Sequence, residues 1–331
     1  MTRSELLDRW LKSQFPGVGF NLTPASADAS FRRYFRVAID GMTRIVMDAP
    51  PEHEDCRPFI AVASLFGEAG VNVPRVLAQD LQQGFLLLTD LGSTTYLSVL
   101  NAENADSLYR EALDALINIQ LASRPQVLPE YDEALLLREM QLFPDWYVGK
   151  HLQRMLGDEQ ASALAEVFSR VLKNNLAQPR VYVHRDYHSR NLMVTDPNPG
   201  VLDFQDAVYG PITYDLVSLL KDAYISWDEE QVLDWVIRYW EKARKAGLPV
   251  TQDFAAFYRD FEWMGVQRHI KVLGIFARLF HRDGKEGYLN DMPLVMRYLR
   301  KACERYVELV PMLRLLDELE GHSDSKVGYS F

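Results

Sequence analysis

Hydrophobic and polar positions change rhythm near residue 95. Before it, short runs rich in β-branched, aromatic and other apolar residues predict strands over 34–39, 43–47 and 84–89. Asp40-Gly41, between the first two, is a hairpin-type turn signal. A helix is predicted over 57–69, with Gly70 placed to end it. Beyond residue 105, apolar residues recur at spacings of three and four. Leu108, Ala112, Ala115, Leu116 and Ile119 make one helical face. Further helices are predicted over 135–140, 161–176, 229–246, 253–280 and 292–319, the last kinked or broken at Pro311. Two β-like elements interrupt them, 181–183 and the pair 192–195 with 200–203. Residues 321–331 are polar and are expected to fray. The pattern predicts an α+β chain, with a small β-rich lobe over residues 1–92 and a larger helical lobe over 93–331.

Composition changes this picture little. The chain is 48% hydrophobic and 25% charged, normal for a soluble globular protein. Its formal charge of −10 argues against a nucleic-acid partner, because no basic stripe is available to track a phosphate backbone. An acidic surface is also a poor match for an anionic membrane. Cys56 and Cys303 lie far apart, as expected of isolated thiols in a reducing compartment. The stretch 272–280 is interrupted by Arg278 and is too short to span a bilayer, and the first residues lack the apolar core of a signal peptide. The expectation is a cytoplasmic protein.

Candidate chemistry concentrates in one segment, Val183-His184-Arg185-Asp186-Tyr187-His188-Ser189-Arg190-Asn191, followed by Val201-Leu202-Asp203-Phe204. It has the form His-x-Asp-x-x-x-x-Asn and then Asp-Phe, the arrangement of a kinase catalytic loop. Phosphoryl transfer needs a carboxylate to orient the attacking hydroxyl and take its proton, and Asp186 fits that role. It also needs hard oxygen donors for Mg²⁺, which the Asn191 amide and the Asp203 carboxylate supply. An isolated Asp in a loop is usually a turn or cap residue. The complete order of β-run, Asp, Asn, hairpin and Asp-Phe is far more specific.

This segment resembles the catalytic loop of the aminoglycoside-phosphotransferase and choline-kinase superfamily. The resemblance implies a bilobal protein-kinase-like fold, with ATP and Mg²⁺ in the cleft between lobes. It places His188 where protein kinases carry the catalytic-loop lysine. Tyr209-Gly210-Pro211-Ile212-Thr213-Tyr214-Asp215-Leu216 resembles a downstream element in which Asp215 would hold the catalytic loop through backbone N–H groups; a helix cap is the alternative. His184 is expected to pack beneath the loop. Phe85-Leu86-Leu87-Leu88-Thr89-Asp90-Leu91-Gly92 resembles the strand and hinge whose backbone, around Thr89, Asp90 and Leu91, bonds adenine. Gly70 to Leu77 resembles the entry to the preceding strand.

The phosphate-covering loop is expected at Ser26, Ala27, Asp28, Ala29 and Ser30. It lacks glycine, but its small residues let the backbone approach phosphates. Arg32 and Arg33 either add charge near the phosphates or stand as exposed strand charges. The strand lysine of kinases is missing from Arg44-Ile45-Val46-Met47-Asp48, and the only Glu in the predicted helix that follows is Glu68, at its far end. With both partners gone no buried charge is stranded. Arg32, Arg33 or Arg44 are candidates to hold the phosphates instead.

Asp28 to Tyr34, Met47-Asp48-Ala49-Pro50-Pro51, Leu142-Phe143-Pro144-Asp145-Trp146-Tyr147, Trp263 to Arg278 and Arg282-Asp283-Gly284-Lys285 together resemble bacterial cell-wall sugar kinases that phosphorylate the anomeric hydroxyl of N-acetylmuramate and N-acetylglucosamine, a resemblance that runs from about residue 5 to about residue 315. That resemblance implies a small amino-sugar acceptor and a place in peptidoglycan recycling. Trp146, Tyr147 and Trp263 offer aromatic faces for a sugar. Arg268 and Lys271 offer charge for a lactyl carboxylate. The alternative for Trp263 to Arg278 is a core helix with solvated basic residues. Rival readings are an aminoglycoside, choline or homoserine kinase, and a nucleotide-binding pseudokinase.

Overall fold

The computed structural model describes residues 2–26, 31–39 and 41–321. The expected turn residue Asp40, the residues Ala27, Asp28, Ala29 and Ser30 of the expected phosphate loop, and residues 322–331 lie outside these. Two units are present, Met1–Ala122 with Arg190–Ala207, and Ser123–Ser189 with Val208–Phe331. Residues 93–122 and 190–207 thus cluster with the N-terminal strands.

The first unit opens with a helix that the strand-rich reading did not anticipate, α1 (Arg3–Gln14). The Thr2 hydroxyl and the Glu5 carboxylate cap its start reciprocally. Leu7, Trp10 and Leu11 were the available signal, since spacings of three and four bring them to one face. They pack against Val37, Ile39, Val46, Phe85 and Leu87. Each such burial is worth about 1.5–3 kcal/mol against solvent exposure. The strands are β1 (Leu22–Ser26), β2 (Arg33–Ile39) and β3 (Met42–Asp48), then, after helix α2 (Arg57–Glu68), β4 (Val76–Asp80) and β5 (Phe85–Thr89). They form one antiparallel sheet in the order β1-β2-β3-β5-β4. Asp48 is buried at the end of β3 and bonds Arg3 at 2.8 Å and Arg33. Helices α3 (Tyr96–Val99) and α4 (Ala105–Leu121) follow.

Residues 190–207 contribute a short ribbon in which Leu192–Met193 pairs with Gly200–Val201. It is shorter than the expected 192–195 with 200–203. Thr195 N donates to the Asn198 side chain rather than to a partner strand, and Pro197 and Pro199 have no N–H to give.

In the second unit, α5 (Glu133–Met140) leads into a π-helical segment, Phe143–His151, and α6 (Asp158–Leu176). Strands β6 (Arg180–Val183) and β7 (Val208–Pro211) pair antiparallel. Then come α7 (Tyr214–Leu220), α8 (Glu229–Ala246), α9 (Phe254–Asp283), α10 (Met292–Arg305) and α11 (Val310–Glu320). Helix α9 is buried on nearly every side from Phe261 to Gly274, which makes it the axis of this unit. A Cβ at Gly274 would lie 2.4 Å from the Leu142 carbonyl carbon, so only glycine lets the chain ahead of the π-helical segment approach α9 this closely. The expected break at Pro311 falls earlier, at Tyr306, followed by a 3₁₀ turn. Pro311 instead sits in the first turn of α11, where its missing N–H has no helical partner to lose.

Candidate active site

Strand β6 delivers the chain to Asp186, and the loop that follows is held from below. Asp215, in the first turn of α7, accepts from the backbone N–H of His184 at 2.6 Å and of Arg185 at 3.0 Å. Thr213, not Asp215, stands at the N-cap position of that helix, with its hydroxyl donating to Gln178 Oε1 instead of capping. Burial pushes the Asp215 carboxyl up to about 7, against the pull of the two N–H groups and Arg268. The two bonds help hold Arg185 at φ 77°, a left-handed conformation that a long side chain seldom adopts. His184 is fully buried, and its Nδ1 accepts from Asp186 N at 3.2 Å. It therefore supports the loop from within.

Around Asp186 the second unit gathers positive charge. Residues 267, 268 and 271 share one face of α9. Lys271 Nζ donates to Glu139 Oε1 at 2.8 Å and to the Tyr214 hydroxyl at 2.9 Å. Arg268 donates to Arg185 O at 3.1 Å, and Arg185 donates to Glu139 at 2.5 Å. Tyr131 also donates to Glu139. Burial alone would favour the neutral acid at Asp186. Lys271 first, then His188, Arg268 and Arg185, outweigh it and hold the carboxyl below its usual range. Asp186 is thus ionised at neutral pH, as a proton acceptor must be.

In the first unit, a cavity of about 350 Å³ is lined by Thr89 at the end of β5, by Asp90 and Leu91 after it, and by Asn191, Asp203 and Phe204. Tyr34 and Arg36 of β2, Ile45 of β3 and Phe59 of α2 complete much of its wall. That volume is in the range of small-molecule sites. Asn191 Nδ2 lies 3.4 Å from Asp203 Oδ2, so an amide and a carboxylate converge at one end. Gln205 donates to the other Asp203 oxygen at 2.7 Å. Phe204 is buried against Phe59 and Phe66, with ring centroids 4.9 and 6.1 Å away, which ties Asp203 to α2. An amide and a carboxylate, both carrying hard oxygen donors, beside a cavity are of the residue types that would hold Mg²⁺.

The segment expected to form the hinge is braced by a residue that sequence reasoning missed. Arg36 grips Asp90 through Nε at 2.5 Å and Nη2 at 3.0 Å, and reaches Gly92 O at 2.8 Å. Gly92 N returns a bond to Asp90 at 2.9 Å from φ 86°, a conformation natural only to glycine. Burial opposes ionisation of Asp90, but Arg36 and these bonds hold its carboxyl below the ordinary range. Ile45 lines the cavity, so Met47, two residues on, stands on the same face where a kinase strand lysine would project. Met47 is wholly buried, and Glu68 bonds only its own helix at Ser64.

The other expected site residues fall as follows. Ser26 ends β1, next to Ala25 in the cavity wall. Arg32 bonds Glu54 at 3.0 Å and Arg33 bonds Asp48, so both guanidiniums are engaged by acids. Arg44 bonds its neighbours Thr43 and Met42. His188 joins the positive charge near Asp186 and meets the edge of Tyr224 at 5.4 Å. Trp146 is half-buried on the π-helical segment, and Tyr147 is buried between Phe143 and His151. Trp263 is 3% exposed, against Tyr306 and beneath Arg259. Arg268 and Lys271 come to Asp186, but inside a buried network. Glu139 was also missed. Its signal was an acid three residues after Leu136 and beside Met140, on the face that Glu133–Met140 buries.

A model of the phosphotransferase enzyme family matches residues 21–253. An N-acetylmuramate/N-acetylglucosamine kinase of Neisseria meningitidis serogroup B is 52% identical, over the whole of both chains. One of the same name from Pseudomonas aeruginosa is 53% identical over 96% of this chain and 97% of its own. The crystal structure of aminoglycoside phosphotransferase APH(2'')-Ib, ADP-bound, superposes with a TM-score of 0.56 at 14% identity, covering 88% of this chain and 97% of that one. Among the described residues, no helix is long and apolar enough to cross a membrane.

Proposed function

Because the chain belongs to the phosphotransferase enzyme family and has its aminoglycoside-phosphotransferase-like fold, we propose that it transfers the γ-phosphoryl group of ATP to the anomeric hydroxyl of N-acetylmuramate or N-acetylglucosamine. The observation that carries the reaction is Asp186, ionised by Lys271, His188, Arg268 and Arg185 on a loop fastened by Asp215. The full-length identity with two enzymes named for these sugars supports the acceptor.

In this reading Asp186 orients the sugar hydroxyl and accepts its proton. The sugar oxygen bonds the γ-phosphorus as the bond to the β-phosphate oxygen breaks, giving the sugar 1-phosphate and ADP. Backbone groups of Thr89, Asp90 and Leu91 bind the adenine edge, and Arg36 keeps that segment in place. Asn191 and Asp203 would hold Mg²⁺, which would neutralise charge on the phosphate oxygens. His188 carries positive charge to the transferred phosphate. The reaction belongs to the cytoplasm, where the product would enter nucleotide-sugar synthesis in peptidoglycan recycling.

ATP consumption with Mg²⁺ tests this against N-acetylmuramate, N-acetylglucosamine, kanamycin, choline and homoserine, with Asp186→Asn as the blank. Turnover on the amino sugars, lost in the blank by a factor of about 10²–10⁴, is expected. Turnover on kanamycin or choline alone would overturn the acceptor, and near-wild-type turnover in the blank would overturn the base.

A further inference from the structure

The loop from His184 to Ser189 is fastened at both ends, by two different carboxylates. Asp215 takes the first two N–H groups. At the far end, Asp222 Oδ2 accepts from Ser189 N at 3.0 Å and from Ser189 Oγ at 2.5 Å. Asp222 is 1% exposed, and it lies two residues beyond the end of α7. Its other oxygen, Oδ1, accepts from Tyr224 N at 3.1 Å. That bond shapes the turn which sets the Tyr224 ring edge-on to His188, 5.4 Å between centroids. One carboxylate therefore bonds Ser189 and builds the turn behind His188.

A buried carboxylate is costly unless several donors converge on it, and here three do. Arg268, which is drawn electrostatically to both Asp186 and Asp222, adds a compensating charge. A neutral residue would form the turn at lower desolvation cost. It would not accept both Ser189 donors as strongly. Asp186 lies between the two fastenings, three residues before Ser189, so slack at Ser189 would reach it and His188 directly.

We propose that Asp222 is a positioning residue for phosphoryl transfer, fixing the second half of the catalytic loop so that Asp186 and His188 keep their aim. This rests on the reading of Asp186 as the proton acceptor. Two arms test it in the full chain. The first is steady-state kinetics on N-acetylglucosamine for Asp222→Asn, Ser189→Ala and the double variant. Asp222→Asn is expected to lower kcat by about 10–100-fold while KM for ATP stays within about twofold. Ser189→Ala, which keeps the backbone bond, should lose less. The double variant should be no worse than Asp222→Asn alone. The second arm is hydrogen exchange, which needs no acceptor. Asp222→Asn should speed exchange across residues 184–189 and leave strand β6 as protected as in the wild type. Unchanged loop exchange overturns the proposal, as does a uniform loss of protection through the unit. If the wild type turns over no amino sugar, the proposed function fails and the exchange result alone decides the role of Asp222.

Discussion

Lys271 donates to Glu139 at 2.8 Å with both side chains less than a tenth exposed. Glu139 also holds Arg185, so one buried acid serves a buried lysine and a partly buried arginine. The arrangement leaves net positive charge facing Asp186 while making each cation tolerable inside the protein.

Replacing Glu139 by Gln should therefore strand two charges. Removing one partner of a buried pair typically costs about 3–5 kcal/mol. Urea unfolding of Glu139→Gln should show a loss of that order, and a loss below about 1 kcal/mol would contradict the network. Burial opposes ionisation of Glu139, but Lys271 and Arg185 hold its carboxyl below the ordinary range. A depressed carboxylate stabilises the folded state above its unfolded pKa. The difference between wild type and variant should thus be full at neutral pH and shrink as pH falls through the carboxylate range and below.

Lys271→Met should shift the pH profile. Lys271 is the leading cation holding Asp186 below the usual range. Without it the neutral acid gains ground, so the acid limb of kcat/KM should move to higher pH. The alkaline limb supplies the internal comparison. An acid limb that stays in place would mean that Lys271 does not act on Asp186.

Arg36→Met should weaken ATP binding more than catalysis. The guanidinium joins β2 to Asp90 and Gly92 through three bonds. Calorimetry should give about a tenfold weaker ATP affinity, roughly 1.4 kcal/mol, with kcat at saturation little changed. Unchanged affinity would leave the clamp without a role in nucleotide binding.

Asp203→Asn should weaken nucleotide binding only when Mg²⁺ is present. In excess chelator, variant and wild type should bind ADP alike, because the carboxylate acts through the ion. A defect that persists in chelator would assign Asp203 to direct nucleotide contact.

Much of this was legible in local sequence. Strand alternation, the three-and-four spacing of helical faces and the glycine after α2 depend on near neighbours, and the elements they predict are found within a few residues. The order Asp186, Asn191, Asp203 and Asp215 is likewise a property of the chain, legible from residue types and spacing alone. Tertiary structure decided which charges are available. Arg32, Arg33, Arg36, Arg44 and Lys271 look alike in sequence. Partners 54 positions away for Arg36 and 132 for Lys271 make the first a clamp on Asp90 and the second part of a buried network. Trp263 similarly became core through contact with Tyr306. Periodicity reports which face of an element is apolar. Whether a charge or ring on that face meets solvent, a substrate or an acid depends on elements folded against it from elsewhere in the chain.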